Sequence, residues 1–573
     1  MNLLTVLGVF VRLLLLIVRA LWGKLRDAMF PVSPSALHAN QAFLKGGYAP
    51  VVDELAQVPL KNGEGIPEDF PAGLFVRNGS NPRWTPRRPY HWFDGDGHLH
   101  AVHFLPENPA DEPSHGNPKR ALYSNAFVRT TRFLDEEAAA GPLYFGLADV
   151  LSPERLLGVL ADRALQAAGL RRRLLGRSVA NTNVVFHHRR LLALVEADVP
   201  YVVLAPSLET VCTEDWEGRV EVYTAHPKID ARTGEMMGVM YRFDRAPHCQ
   251  YYVVGPNGHL QIVHDIDLQT PVMMHDMAVS EGHSLILDLP LNFRVERILY
   301  GRSPLAYQPA SPSRVGLLPR RPQDPSERPR WFPVQPCFVF HTVNAWDAAP
   351  GEVVMVACVH NRLPPALFDT DDSGLPADAL LRSLDRLPET CVRRYLFRLE
   401  DGSVEETDLD ARPCEFPRVP PALIGRPTRY FYASHLQQEM PAPLFKGVFK
   451  YDLLLSREAA YCEFPPDTFG GEVTFVPKSL FSKDSSSKSS PSASSSSSSA
   501  AAPEDHGYLL TFVTNERTLT SALAIIDAAS MALLALLPTP QRVPYGFHGN
   551  WVTQAEIDSQ EDPRNSSPDL QSK

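Results

Sequence analysis

Residues 180–201 read ANTNVVFHHRRLLALVEADVPY, and they hold two strand-length runs, NVVFHH and LLALVEA. The same texture continues to about residue 300 in short runs rich in Val, Ile, Leu, Tyr and Phe, such as YYVVG and SLILDL, divided by Gly, Pro, Asp and Asn. Strand-length runs with frequent turn signals argue for antiparallel β structure and against alternating βαβ units. The texture returns in 337–360, 394–408, 446–455, 472–478, 507–514 and 522–528. So many short strands predict an all-β propeller or sandwich array, although no tidy repeat marks the blades.

The chain has 573 residues, 44% of them hydrophobic and 21% charged, enough to bury a large core. Its formal charge is −11, from 55 basic and 66 acidic side chains. Outside the N-terminal region no stripe of Lys and Arg forms, so no nucleic-acid partner is expected. The seven cysteines (Cys212, Cys249, Cys337, Cys358, Cys391, Cys414, Cys462) are dispersed and include no CxxC pair. Neither a disulfide framework nor a zinc ribbon is indicated, and a reducing compartment fits best. Sequons at Asn78 and Asn565 would matter only in a secreted protein.

Residues 2–23, NLLTVLGVFVRLLLLIVRALWG, are strongly apolar but interrupted by Arg12 and Arg19. Two internal arginines burden a spanning helix, whereas a helix lying in the interface lets them reach the headgroups, so membrane attachment is favoured over spanning. The basic, nearly acid-free character also leaves an organelle transit peptide open. A second candidate for membrane contact starts at Ser152-Pro153, a capping pair, and ends in Arg171-Arg172-Arg173; the alternative is a core-packing helix with a solvated basic end. The expected location is a peripheral membrane surface, on the cytosolic face or in a plastid. The Ser-rich run 482–505 cannot bury apolar surface and is expected to be a disordered insertion. Pro-rich 303–336 is expected as a long irregular connection, and 558–573 as a disordered tail.

Nineteen histidines offer many possible ligands, and a lone histidine is more often a hydrogen-bonded core or surface residue. HExxH, P-loop and GxSxG patterns are missing, which removes the simplest signatures of zincins, NTPases and α/β-hydrolases. Asp94-Gly95-Asp96-Gly97 begins like a calcium loop, but His98 and Leu99 break the pattern and a tight turn is the better reading. His98 and His100 alternate on one strand face with His103 nearby, a weaker candidate chelate expected in an exposed hairpin.

A series of segments carries the specific signal: GLFVRNGSNPRW (73–84), HWFDGDGHLHAV (91–102), the opening stretch 180–201, TAHPKIDARTGEM (224–236), PVMMHDMAVSE (271–281), FHTVNAWD (340–347), CEFPRVPPALIGRPTRYFYA (414–433), GGEVTFVPK (470–478) and RVPYGFHGNWV (542–552). Together, in this order, they closely resemble the carotenoid cleavage dioxygenase family of plants and algae over about residues 40–555. The resemblance implies a seven-bladed β-propeller with Fe2+ on its axis, one per chain, under a cap of helices and loops. It divides the chain into a targeting or membrane-associating region (1–40), one propeller domain (41–557) and the tail. The family's four iron-binding histidines match His226, His275, His341 and His548.

Strands converging on a propeller axis can each offer one side chain, so ligands far apart in sequence can meet without a local motif. Four neutral imidazoles leave the +2 charge of a buried metal uncompensated, and nearby acceptors are therefore expected. The resemblance places Glu196, Glu415 and Glu472 in that role, and Thr182 beside the open face of the iron; Thr182 is equally readable as a packed strand residue. Four nitrogen ligands do not by themselves select iron. The reaction implied is cleavage of a conjugated C=C bond of a carotenoid or apocarotenoid with O2 to two carbonyl products. The motifs look most like enzymes cutting the 9,10 (9′,10′) bonds. The alternatives are an 11,12-cleaving 9-cis-epoxycarotenoid dioxygenase, a polyene isomerase or isomerohydrolase, and a non-catalytic carotenoid-binding propeller. Asn550 and Trp551, close to His548, depart from the usual pattern and bear on substrate preference.

Overall fold

The computed structural model describes residues 41–60, 65–86, 90–106, 120–142, 144, 179–196, 198–300, 304–363, 369–370, 390–437, 442–478 and 503–566. The apolar segment 2–23, the predicted helix after Ser152 and nearly all of the Ser-rich insertion lie outside them.

Seven antiparallel sheets follow one another along the chain. Blade 1 is built from Leu55–Pro59, Gly73–Arg77, His98–Phe104 and Ala121–Phe127, joined by Gly549–Thr553 from the far end of the chain. Blade 2 (Asn183–His187, Arg190–Leu194, Tyr201–Leu204, Glu209–Thr213) and blade 3 (Lys228–Ile229, Met236–Tyr241, Cys249–Val254, Leu260–Ile266) are simple meanders. Blade 4 comprises Ala278–Val279, His283–Asp288, Arg314–Pro319 and Arg330–Pro333, and blade 5 comprises Phe338–Ala349, Glu352–His360, Thr390–Arg398 and Val404–Asp410. Blade 6 holds Cys414–Arg418, Tyr430–Gln437, Leu444–Asp452 and Arg457–Glu463. Blade 7 holds Thr468–Phe469 and Thr474–Pro477 against Gly507–Asn515, then Thr520–Asp527 and Leu533–Pro538. This is the seven-bladed propeller that the motif order implied.

Strand periodicity explains how the blades adhere. Successive side chains point to opposite faces: Leu192 and Leu194 of blade 2 pack with Met236 and Met240 of blade 3, while Leu191 and Ala193 turn back to Leu74 and Val76 of blade 1. Seven buried apolar clusters result among the described residues, one at each junction between neighbouring blades. An eighth, dominated by Phe43, Tyr48, Trp92, Tyr545 and Phe547, packs beside the entry to the last strand. The ring closes where Gly549–Thr553 pairs antiparallel with Gly73–Arg77, Phe75 opposite Trp551, so no blade presents an open side to the ring.

Two expectations are corrected. Pro-rich 303–336 is not an irregular connection: it holds the two outer strands of blade 4 and Leu305–Tyr307 of a small extra sheet. Its prolines fall in turns and at strand ends, Pro319 and Pro333 at the latter, where a missing N–H costs no ladder bond. The first part of the expected tail is docked: Gln560 bonds to Val203 O and Ala205 N at 2.8 and 2.7 Å, and Arg564 to Glu209 at 2.6 Å. Polar composition misled there because the docking is itself polar. Helix is sparse among the described residues, limited to Thr131–Ala138, Gln554–Ser559, Pro563–Ser566 and short 3-10 turns. The extra sheet Leu291–Phe293, Leu305–Tyr307 and Asp369–Thr370 adjoins the segment entering His275, through Met273 N to Leu291 O at 2.9 Å.

Candidate metal centre

His226, His275, His341 and His548 converge at the inner ends of blades 3, 4, 5 and 1. One nitrogen from each lies within 4.8 Å of the others, and all four side chains are buried. Among the described residues no other group of three or more His, Cys, Asp or Glu is so arranged. Each histidine is fixed by its own local structure. His226 N donates to Thr224 Oγ1 at 2.9 Å, and the neighbouring Ala225 carbonyl accepts from Asn183 Nδ2 of blade 2 at 2.8 Å. His341 sits where the register of its strand shifts against Glu352–His360, a bulge that re-aims the side chain. His548 accepts from Asn78 N through its carbonyl and donates its N–H to Thr182 O, at 2.9 and 3.2 Å. Asn78 is fully buried and bonds to Ala180 and Asn183 carbonyls, so its sequon marks a structural asparagine.

The three glutamates come from the remaining blades. Glu196, after the second strand of blade 2, faces His275 Nδ1. Glu415 of blade 6 accepts from His341 Nδ1 at 2.6 Å, and Glu472 of blade 7 from His548 Nδ1 at 2.8 Å. Each of the seven blades therefore contributes one residue, four imidazoles and three carboxylates. His226 has no carboxylate partner among the described residues. Thr182 adjoins His548 through its backbone, while its hydroxyl donates to Asn181 Oδ1 at 3.1 Å.

The electrostatics favour a cation at the centre. With Nδ1 of three imidazoles directed at carboxylates, their Nε2 lone pairs are left for a ligand role. His226 Nε2 and His275 Nε2 stand 3.0 Å apart, and His341 Nε2 is buried without a partner. A buried polar atom so placed is costly unless something binds it. Burial, reinforced by the neighbouring imidazoles, holds His226 well below the ordinary histidine range. Burial likewise lowers His548, to about 4, against the opposing pull of Glu472. His275 goes the other way, because Glu196 and more distant acids outweigh its burial. Burial would raise both Glu415 and Glu472, but His341 and His360 bring the first well below the carboxylate range, and Arg418 with His548 bring the second to about 2. A divalent cation, three carboxylates and the Arg418 guanidinium sum to zero charge, which removes the main cost of burying the ion.

Several supporting residues escaped the reading of the sequence. Asp276, 1% exposed, accepts from Lys228 Nζ and from both N and Oγ1 of Thr342, tying the segments of His226, His275 and His341 together. His360, Tyr241 and Arg418 each contact one of the three glutamates. Lys228, Asp276 and Arg418 lay inside TAHPK, MMHDM and CEFPR and were findable as charges beside ligand positions. Tyr241 and His360 lie in no such motif. Phe416 takes φ +55°, an uncommon conformation for a bulky side chain that costs on the order of 1–3 kcal/mol. It sets the Phe416 ring against His341 and His548, with centroids 5.3 and 5.4 Å apart, while Phe340 covers His275 edge-on.

The alternative chelate dissolves. His98 and His100 are in a buried strand, not an exposed hairpin, and the closing strand and blade 7 cover it. His98 is bonded on both nitrogens, to Asn81 and Asn125 at 2.7 and 2.8 Å, and stacks on Phe127. His100 bonds Tyr123 at 2.7 Å, and His103 bonds Gln554 at 3.1 Å.

The family described as retinal pigment epithelial membrane protein matches residues 48–553. A carotenoid 9,10(9′,10′)-cleavage dioxygenase of Pisum sativum is 32% identical over 90% of this chain and 91% of its own length. A chloroplastic 9-cis-epoxycarotenoid dioxygenase of Oryza sativa subsp. japonica is 33% identical over 90% of this chain and 76% of its own. Among solved structures, a lignostilbene dioxygenase of Pseudomonas brassicacearum superposes with a TM-score of 0.71 at 23% identity, covering 89% of this chain and 98% of that one. A cobalt-substituted apocarotenoid oxygenase of Synechocystis gives 0.67 at 24% identity, covering 90% and 99%.

Proposed function

The chain belongs to the retinal pigment epithelial membrane protein family, that of the carotenoid oxygenases, and we propose that it cleaves a conjugated C=C bond of a carotenoid or apocarotenoid with O2. The bond assigned is the 9,10 (9′,10′) bond, following the relatives of Pisum sativum, Crocus sativus and Arabidopsis thaliana. The observation that carries the reading is the buried four-histidine cluster on the propeller axis.

In this reading His226, His275, His341 and His548 hold one Fe2+, and Glu196, Glu415 and Glu472 orient three of those imidazoles. The iron would supply the redox contact with O2 that lets both oxygen atoms be inserted across the double bond. The protein's own part is positional. The glutamates keep the Nδ1 protons in place, so that the imidazoles bind as neutral ligands. Phe416 and Phe340 give the centre apolar walls that keep bulk water from the reacting bond. Thr182, whose hydroxyl donates to Asn181 Oδ1, would line the centre beside His548 as a packing residue. The acids around the centre are likewise committed to partners, so bond choice falls to the shape of the substrate path.

Carotenoids are nearly insoluble in water, and residues 2–23 supply the apolar segment by which the protein would sit at a lipid surface. No helix among the described residues is long and apolar enough to cross a membrane. A plastid location is supported by relatives of Oryza sativa and Arabidopsis thaliana named chloroplastic.

The test is incubation of the Fe2+-loaded full chain with defined carotenoids under 18O2. Loss of polyene absorbance, with label in both carbonyl products cut at the 9,10 positions, is expected; His341→Ala should leave the substrate intact. Products cut at the 11,12 bond reassign the bond. An isomerised or unchanged polyene, or cleavage that survives His341→Ala, overturns the proposal.

A further inference from the structure

Each of the three glutamates uses one oxygen for its histidine and presents the other to a further side chain, and the three side chains differ. Tyr241 donates its phenol to Glu196 Oε2. His360 Nε2 lies 2.5 Å from Glu415 Oε1, and its own Nδ1 is buried without a partner, so the proton that makes this bond resides on Nε2. Arg418 reaches Glu472 Oε2 at 2.7 Å and, with the same nitrogen, the Gly549 carbonyl next to His548 at 2.7 Å. Backbone N–H groups of Phe416 and Gly549 complete Glu415 and Glu472, both at 2.9 Å.

A carboxylate held at one oxygen alone can rotate away from its imidazole; held at both, it cannot. We propose that Tyr241, His360 and Arg418 are positioning residues for the metal, locking the three glutamates against His275, His341 and His548. The inference rests on the metal-centre reading above. It also ranks the ligands. A carboxylate that shares its charge with a guanidinium pulls less on its imidazole than one backed by a neutral phenol. His275 is thereby a stronger donor than His548, and His226, without a carboxylate, is the weakest.

The test uses the full chain, stripped of metal and reloaded with Co2+, whose visible bands report ligand field and whose affinity is read by chelator competition. Tyr241→Phe, His360→Leu and Arg418→Met should each weaken Co2+ binding by about tenfold or more and alter the bands. Arg418→Lys and His360→Gln, which keep a donor, should restore affinity to within about threefold of wild type. Three truncations with wild-type affinity and bands overturn the inference, as does a loss that follows the melting temperature of the apoprotein and is not rescued by the donor-keeping variants. A wild-type chain that takes up no Co2+ overturns the metal-centre reading and the inference with it, whereas uptake by wild type with unaffected variants overturns the inference alone.

Discussion

Replacing Glu415 by Gln isolates the charge of one carboxylate at nearly constant shape. Glu415 accepts from His341 Nδ1, His360 Nε2 and Phe416 N. A hydrogen bond to a charged group contributes about 1.5–3 kcal/mol, against about 1 for a neutral one, so the His341 bond loses on the order of 1 kcal/mol. The centre also loses one of the charges that offset the ion, and the two effects together reach about 2 kcal/mol, or about thirtyfold in metal affinity. On the other side the new amide N–H2 meets His360 Nε2. The imidazole can move its proton to Nδ1, but that atom is buried without a partner, so the metal-free protein should also lose about 1–3 kcal/mol of stability. The assay is chelator competition for Fe2+ or Co2+, run beside denaturation of the metal-free chain. Glu458→Gln, at an exposed glutamate on the rim of blade 6, is the control and should change neither quantity. An affinity for Glu415→Gln within about threefold of wild type, or a matching loss in the control, refutes the reasoning.

Lys228→Met leaves Asp276 buried beside the ligands without its cation and should destabilise the fold by about 3–5 kcal/mol, read from equilibrium denaturation, with Lys228→Arg largely preserved. Glu472 ionises near 2 in the folded chain against an ordinary 4.5, so its stabilisation is fully present above about pH 4.5 and drains away as the pH falls toward 2; the stability gap between wild type and Glu472→Gln should close over that window in acid titration followed by circular dichroism. His275 has the opposite sign, because its folded value is raised: in the metal-free protein its contribution is complete below the ordinary 6.5 and is lost as the pH rises through the folded value, which NMR titration of wild type against His275→Gln would register. Phe416→Gly recovers about 1–3 kcal/mol of backbone strain but gives up a buried ring worth about 3–5, so thermal stability should fall modestly, and loss of the wall beside His341 and His548 should lower product yield per O2 consumed, measured by oxygen electrode and chromatography.

The sequence by itself was enough for the β class and for naming the four histidines that the fold gathers into one buried candidate metal site. Short runs rich in branched and aromatic side chains, such as NVVFHH and LLALVEA, bounded by turn residues, signal strands because such side chains suit a pleated, half-buried surface. His226, His275, His341, His548 and the three glutamates could be named because each sits in a short motif of a recognisable family. What the chain could not declare locally was contact. Polar composition suggested a free tail where Gln560 and Arg564 dock, and alternation made His98 and His100 look like a chelate when Asn81, Asn125 and Tyr123 had already claimed them. Tyr241 and His360 lie 45 and 55 positions from the glutamates they hold, and only the packing of neighbouring blades brings them together. Hydrogen bonds and charge pairing act over a few ångströms of space, so which imidazole meets which acid was decided when seven blades, each contributing one residue, were wrapped around a common axis.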